Sequence, residues 1–245
     1  SDVYKRQILR LSSNYMYSLD VIVPFFNEED FLEESVSNLI KANVHDHIYL
    51  VNNNSTDKSK EIALKIVERN SNITYLETSS RKGKGVGLKK AIEHINSTHT
   101  VIHDADLEYV PSDLIKMKQL SMKNPNSLII GSRFIGDVTR DNKYKRTIFA
   151  NKFLSKLFSL VHGSNISDIA TCYKLIPSED LINMNISEKG FSVEIEIISK
   201  YLKIKNSSVF EVPIGYVGRT FEEGKKISLY DGFQYLFKIF YYRVF

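Results

Sequence analysis

Thr100-Val101-Ile102-His103 runs directly into Asp104-Ala105-Asp106-Leu107-Glu108. A short apolar run followed at once by acidic residues reads as a buried strand and the loop at its end. Side chains alternate between faces along a strand, so Asp104 and Asp106 point the same way. Their charges and that of Glu108 repel one another unless something positive sits between them. A divalent cation is the simplest such partner, and oxygen ligands suit Mg2+ or Mn2+. A cation at a strand's end in an α/β protein is well placed to hold a diphosphate. Taken alone, Asp-x-Asp also occurs in solvated turns, and the neighbouring segments have to decide.

Outward from that stretch, strand and helix patterns alternate. Strands are expected at Leu19 to Val23, His47 to Val51, Ile73 to Leu76, His99 to His103 and Ser127 to Ile130. Between them, helical spacing covers Glu29 to Ala42, Lys58 to Arg69, Gly85 to Ile95 and Pro111 to Met122. Ser55 or Thr56 suits the cap of the second helix. This alternation implies βαβ units, an α/β fold and a mostly parallel sheet flanked by helices. Ligands in such sheets bind outside the carboxyl ends of the strands, here the loops 24–29, 52–57, 78–85, 104–109 and 131–133. The second half is less regular, with helices expected at Lys145 to Val161 and Phe191 to Leu202 and strands at Thr171 to Ile176 and Val209 to Tyr216. No repeat or linker interrupts the chain, so residues 19–229 read as one domain, after an extension over 1–18 and before a helix over 230–245. Ser1 to Gln7 resemble a translated adapter remnant and are left out of the fold reasoning.

The chain has 245 residues, 42% hydrophobic and 25% charged, enough for a full core. The single Cys172 excludes an internal disulfide and suits a reducing cytosol. A net charge of +4 suits anionic small molecules or an anionic membrane surface but is too weak to argue for nucleic acid. No apolar run is long enough to span a bilayer, and the N-terminus has no signal-peptide core.

The loops carry polar residues in patterns with two readings each. Pro24-Phe25-Phe26-Asn27-Glu28-Glu29 and Asn52-Asn53-Asn54-Ser55-Thr56-Asp57 suit either helix N-termini or contact with a base and ribose. Arg81-Lys82-Gly83-Lys84-Gly85 precedes a helix and reads as a basic turn or an anion cradle, but it is not a P-loop. Arg133 after the fifth strand can clamp a phosphate bidentately. Lys145, Arg146 and Lys152 read as a second anion site or a solvated helix face. Asp168 adds a carboxylate, and Glu194 and Glu196 read as site or surface groups. Arg219 and Lys225 flank an acidic pair. Tyr230 to Phe245 places Phe233, Leu236, Phe237, Phe240 and Val244 on one helical face, with Lys238 and Arg243 nearby. Such a helix lies in a membrane interface or docks on the domain itself.

In their joint order these segments resemble family 2 glycosyltransferases of GT-A fold, nearest the bacterial dolichyl-phosphate-mannose-synthase-like branch. The residues that carry the resemblance are Val23 to Glu29, Asn54 to Asp57, Gly83-Lys84-Gly85, Asp104 to Tyr109, Gly131 to Phe134, Asp168 to Lys174, Gly190-Phe191 with Glu196, and Gly218 to Ile227. The resemblance spans residues 19–245. It implies that Pro24, Asn27 and Glu28 line a nucleoside pocket, with Asn52 and Asn53 beside it. It implies that Asp104, Asp106 and Glu108 meet a Mg2+ or Mn2+ ion and the donor diphosphate, with Lys84 close by. Arg133, Arg219 and Lys225 would neutralise phosphates, Arg146 would lie on the acceptor side, and Asp168 would face the reacting centre. Two departures stand out: Asn52 replaces the usual base-reading Asp, and Phe26 replaces the usual Tyr.

The implied reaction is an inverting transfer from a nucleoside-diphosphate sugar donor to a polyprenyl phosphate acceptor, with Asp106, Asp168 and Arg133 as catalytic residues. The alternatives are transfer to a glycan or other hydroxyl, or a nucleotide-binding module without turnover. The expected location is cytoplasmic, peripheral at the inner face of the cell membrane through residues 230–245, unless the reading frame stops short of a transmembrane segment.

Overall fold

The computed structural model describes residues 16–79, 83–141, 144–204, 207–220 and 229–245. Its first half alternates β1 (Leu19–Phe25), α1 (Leu32–Ala42), β2 (His47–Asn52), α2 (Ser59–Arg69), β3 (Ile73–Glu77), α3 (Lys84–Ile92), β4 (His99–Ile102), α4 (Asp113–Lys123) and β5 (Ser127–Ser132). β6 (Arg140–Asp141), α5 (Lys145–His162), β7 (Lys174–Pro177), α6 (Ser178–Asn183), α7 (Val193–Tyr201), β8 (Ser208–Pro213), β9 (Tyr216–Val217) and α8 (Leu229–Val244) follow.

Seven strands form one sheet in the order β3-β2-β1-β4-β7-β5-β8. Val21 of β1 lies between Ile48 of β2 and Val101 of β4, both parallel to it. Every residue of β1 is buried, because helices cover both faces of the sheet, and apart from Asp20 the strand is apolar throughout. α1 turns Leu32, Val36 and Leu39 onto that core at helical spacing and ends where Asn43 takes a left-handed φ of 49°.

Several details depart from the sequence pattern. The strand expected from Thr171 begins only at Lys174, and it runs antiparallel to both β4 and β5. The strand expected over Val209 to Tyr216 breaks at Ile214 and Gly215, so β9 leaves the main sheet to pair with β6. α2 has Lys58 at its N-cap, and Asp57 just before it accepts from the Ser59 amide at 3.0 Å; Ser55 and Thr56 are bonded to Asn27 instead. α8 has two apolar faces. Tyr235, Ile239 and Tyr242 are buried against the body, while Phe233, Phe237, Phe240 and Val244 face outward.

Candidate active site

A cleft of about 260 Å³ opens above the carboxyl ends of β1, β4 and β5. Its floor is the acidic loop. The His103 amide still bonds to Ile22 O at 2.9 Å, which holds the loop's start beside β1. Leu107 then adopts a left-handed φ of 60°, costly for a branched residue. That turn folds Glu108 back, so that its amide donates to Asp106 Oδ1 at 3.2 Å. Both Glu108 carboxylate oxygens are taken, by the Tyr216 hydroxyl at 2.7 Å and the Arg219 amide at 2.8 Å. The Arg219 guanidinium reaches Glu28 at 3.0 Å and Asp106 at 3.3 Å. Burial, with repulsion from Glu108 and Asp104, raises the Asp106 carboxyl from its ordinary 3.8 to about 7.

On one wall, the Arg133 guanidinium grips Asp168 with Nε to Oδ2 at 2.7 Å and Nη2 to Oδ1 at 2.9 Å. The Arg133 backbone amide adds a third bond at 3.0 Å. Asp168 is fully buried, and Glu211 secures its loop by accepting from the Ser167 amide and hydroxyl. Burial works against the Arg133 charge, yet Asp168 holds its pKa well above the usual guanidinium range.

On the opposite wall, α3 starts at Lys84 and α7 starts close by. A Cβ at Gly85 would lie 2.1 Å from Glu188 O, so the start of α3 meets the segment leading into α7 only because that residue is glycine. The contact sets Lys84 between two carboxylates, Asp104 at 2.7 Å and Glu194 at 2.7 Å. Glu194 is also paired with the fully buried Lys174. Burial opposes ionisation of Asp104, but the Lys84 ammonium holds its carboxyl below the usual range. Cys172 lines the cleft as well, and burial pushes its thiol far up, so it is no nucleophile.

At the far end, Pro24, Phe25 and Phe26 form an apolar ledge beside Asn53. Asn53 lines the cleft, and its Oδ1 is buried beside Gly87 of α3 with no hydrogen-bond partner among the described residues.

The residue pattern and the sheet edge agree with a comparison to known families. Residues 20–183 match the family model described as glycosyl transferase family 2. The chain belongs to glycosyl transferase family 2.

Among curated relatives of this family 2 chain, glycosyltransferase AglJ of Haloferax volcanii is 24% identical and covers 81% of the chain. Dolichol-phosphate mannosyltransferase of Pyrococcus furiosus is 25% identical over 84% of it, and dolichyl-phosphate β-glucosyltransferase ALG5D of Trichomonas vaginalis 28% identical over 77%. The chain spans 63%, 58% and 63% of those relatives' lengths. Glucosyl-3-phosphoglycerate synthase of Mycobacterium tuberculosis, solved with Mn2+, UDP and phosphoglyceric acid, superposes with a TM-score of 0.70. At 14% identity, over 98% of this chain and 82% of that one, the likeness is one of fold, the GT-A arrangement.

Within the family 2 chain, Pro24, Glu28, Asn53, Lys84, Asp104, Asp106, Glu108, Arg133 and Arg219 all line the cleft. Asp168 lies directly behind Arg133. Asn27 instead ties two loops together, accepting from the Thr56 amide at 2.8 Å. The Asn52 side chain turns away: its amide donates to the Tyr75 hydroxyl at 2.9 Å and its oxygen accepts from the Ser55 amide at 2.8 Å. Arg146 is exposed on the first turn of α5, outside the cleft lining. Lys225, Arg81 and Lys82 lie outside the described residues. Lys174, Tyr216 and Tyr235 carry parts of the site that the sequence did not single out; each depends on a long-range contact with no local signal.

Among the described residues no group of three acidic, histidine or cysteine side chains forms a metal cage. Asp104 and Asp106 nevertheless fit a cation shared with a substrate, because Mg2+ is commonly held by one or two carboxylates plus phosphate oxygens.

Proposed function

We propose that this chain is an inverting glycosyltransferase that moves a sugar from a nucleoside diphosphate onto a polyprenyl phosphate. One observation carries the acceptor class. Each carboxylate lining the cleft is already engaged: Glu28 and Asp106 by Arg219, Asp104 and Glu194 by Lys84, and Glu108 by Tyr216 and Arg219. Asp168 is sealed behind Arg133. A hydroxyl acceptor needs a group to take its proton, and every carboxylate lining the cleft already carries a partner among the described residues. A phosphate acceptor is already anionic and needs none. Two of the curated relatives bear dolichyl or dolichol phosphate in their names, which supports the same class.

In this reading an acceptor phosphate oxygen attacks the anomeric carbon as the bond from that carbon to the donor diphosphate breaks. Asn53 and the ledge at Pro24 hold the nucleoside. Lys84 at the N-terminus of α3 and Arg219 face the leaving diphosphate, where fixed positive charge stabilises what develops in the transition state. Asp104 and Asp106 would hold a Mg2+ or Mn2+ ion, which when bound supplies Lewis-acid stabilisation of the diphosphate. Arg133, fixed by Asp168, keeps a guanidinium beside the acceptor.

The acceptor's lipid calls for a membrane surface. Among the described residues no helix is long and apolar enough to cross a membrane. The outer face of α8 exposes Phe233, Phe237 and Phe240, and the adjacent α5 exposes Phe149, Phe153 and Leu160 beside Lys145, Arg146, Lys152 and Lys156. Aromatic residues interleaved with basic ones suit the interface of an anionic bilayer, and the proposed location is therefore peripheral, at the cytoplasmic face.

The test is incubation with Mn2+ and a panel of radiolabelled nucleoside-diphosphate sugars, with and without undecaprenyl phosphate. Label entering the organic phase only when the lipid is present is the expected result, and Asp106→Ala abolishes it. Label appearing only in aqueous glycan, or nucleotide bound without turnover, would refute the acceptor assignment.

A further inference from the structure

The wall opposite Arg133 carries four charges of alternating sign, three of them buried and Asp104 partly open to the cleft. In order they are Asp104, Lys84, Glu194 and Lys174, with 2.7 Å between Asp104 and Lys84 and 2.7 Å between Lys84 and Glu194. Lys174 and Glu194 are 0% and 2% exposed, and Lys174 Nζ also donates to Thr171 O. A buried carboxylate serving two ammonium groups is costly unless its geometry is well fixed. Here it is fixed from both sides. α7 places Glu194 in its first turn, where the helix dipole favours an anion, and the Gly85 contact brings the start of α3 against it.

Lys84 therefore has two anionic partners with different prospects. Asp104 is partly open to the cleft and would be claimed by a cation. Glu194 lines the cleft at only 2% exposure, and its other oxygen is held by Lys174. We propose that Glu194 is a positioning residue for the transfer reaction, one that keeps the Lys84 ammonium at the diphosphate when Asp104 turns to the metal. This rests on the donor-site reading above. Without Glu194, the ammonium loses its remaining anchor at the moment the ion binds. With it, the N-terminus of α3 presents a fixed positive charge in the metal-bound state as well as the metal-free one. The same geometry accounts for Lys174. It engages the second Glu194 oxygen, so that the carboxylate is held by an ammonium on each side.

The experiment is calorimetric titration of the full chain with UDP and GDP, with and without saturating Mn2+. The variant is Glu194→Gln combined with Lys174→Met, which removes one charge of each sign and leaves the Lys84–Asp104 pair intact. Without metal, its nucleotide affinity stays within about twofold of the unsubstituted chain, because Asp104 still holds Lys84. With Mn2+, its affinity falls about tenfold, and adding Lys84→Met costs little more, as expected for residues acting through one another. Glu194→Asp, which keeps the charge but withdraws it by one methylene, shows the same split at smaller size. Equal losses with and without Mn2+, additive losses with Lys84→Met, or full Mn2+-dependent tightening in Glu194→Asp would each overturn the proposal. An unsubstituted chain that binds neither UDP nor GDP in Mn2+ would overturn the donor-site reading and this inference with it.

Discussion

Asp168→Asn separates two roles that the sequence leaves open for that residue, proton acceptor and anchor. Three N–H groups converge on the carboxylate: the Arg133 amide at 3.0 Å and Nε at 2.7 Å on Oδ2, and Nη2 at 2.9 Å on Oδ1. An asparagine can offer one oxygen to this set, and its amide then points a donor at a donor. The pair is buried, with Asp168 0% and Arg133 8% exposed, so water cannot make up the loss. Breaking one partner of a buried ion pair costs about 3–5 kcal/mol, mostly for the charge left behind. For a chain of this size each kcal/mol lowers Tm by roughly 2–4 °C, so the expected fall is about 6–20 °C. Urea denaturation followed by circular dichroism measures the free energy, and a thermal melt measures the shift. Adding Arg133→Met removes the stranded guanidinium and recovers a large part of the stability without recovering transfer. A loss below about 1 kcal/mol, or a double variant no more stable than Asp168→Asn alone, would refute the anchor role. A stable but inactive Asp168→Asn chain would instead identify Asp168 as the base.

Gly85→Ala drives a methyl to 2.1 Å from Glu188 O, and since that neighbour is backbone the start of α3 and the segment leading into α7 must part. The expected cost is about 1–3 kcal/mol in urea titration, with weakened UDP or GDP binding; a neutral outcome would show that the α3–α7 contact is not needed. Glu196 accepts from the Ser187 and Glu188 amides and pairs with Lys200, and burial notwithstanding, those partners hold its pKa below the ordinary 4.5. Its folded value is depressed, so its contribution is present above pH 4.5 and is lost as pH falls through the folded value. Glu196→Gln should therefore flatten the acid limb of the stability curve, and an unchanged limb would count against this. Phe237→Ser with Phe240→Ser removes two outward aromatics of α8. At about 1.5–3 kcal/mol for each buried Phe, partitioning into anionic vesicles should drop by about two to four orders of magnitude in a sedimentation assay. Undiminished binding would exclude that face as the contact.

What was legible in the sequence follows from where the signal is local. β1 and β4 are buried on both faces, and the apolar runs Val21-Ile22-Val23 and Val101-Ile102 within them announce parallel strands directly. Loops at the ends of such strands must face one edge, which brings Pro24, Asp104, Asp106 and Arg133 together before any coordinates exist. Direction within that edge was not legible. Asn52 and Asn53 are adjacent, strand alternation sends them opposite ways, and only the positions of Tyr75 and Glu77 on β3 fix which one turns from the cleft. Glu194 and Glu196 likewise share a helix turn, yet one reaches Lys84 and the other backbone amides, because the docking of α7 decides. The outward face of α8 was visible as a pattern. Its inward face was not, since Tyr235 and Tyr242 look like further members of one aromatic run until their hydroxyls are seen on Phe191 O and Glu188.

The antiparallel course of β7 explains why the irregular half of the chain matters to the cleft. A parallel strand brings its carboxyl end to the site, but β7 runs the other way between β4 and β5, so its approach lies there instead. Asp168, Cys172 and Lys174 arrive by that approach: Asp168 behind Arg133, the Cys172 amide on the Tyr109 hydroxyl at 2.9 Å, and Lys174 on Glu194. These contacts fix charges that the first half supplies, and none of the three is itself exposed enough to meet a substrate broadly. The family match ends at residue 183, just past this strand. Glu194, Tyr216, Arg219 and Tyr235 all line the cleft from beyond it. The shared segment thus carries the acidic loop and its support, while the residues that close the cleft come from the part not covered by the match. Differences in acceptor among such proteins are then expected to map to α8, since Glu194 and Arg219 serve the donor side. Exchanging residues 229–245 with the matching segment of a relative should change the acceptor used while the nucleotide bound stays the same. A switch of nucleotide instead would place donor recognition in the wrong half.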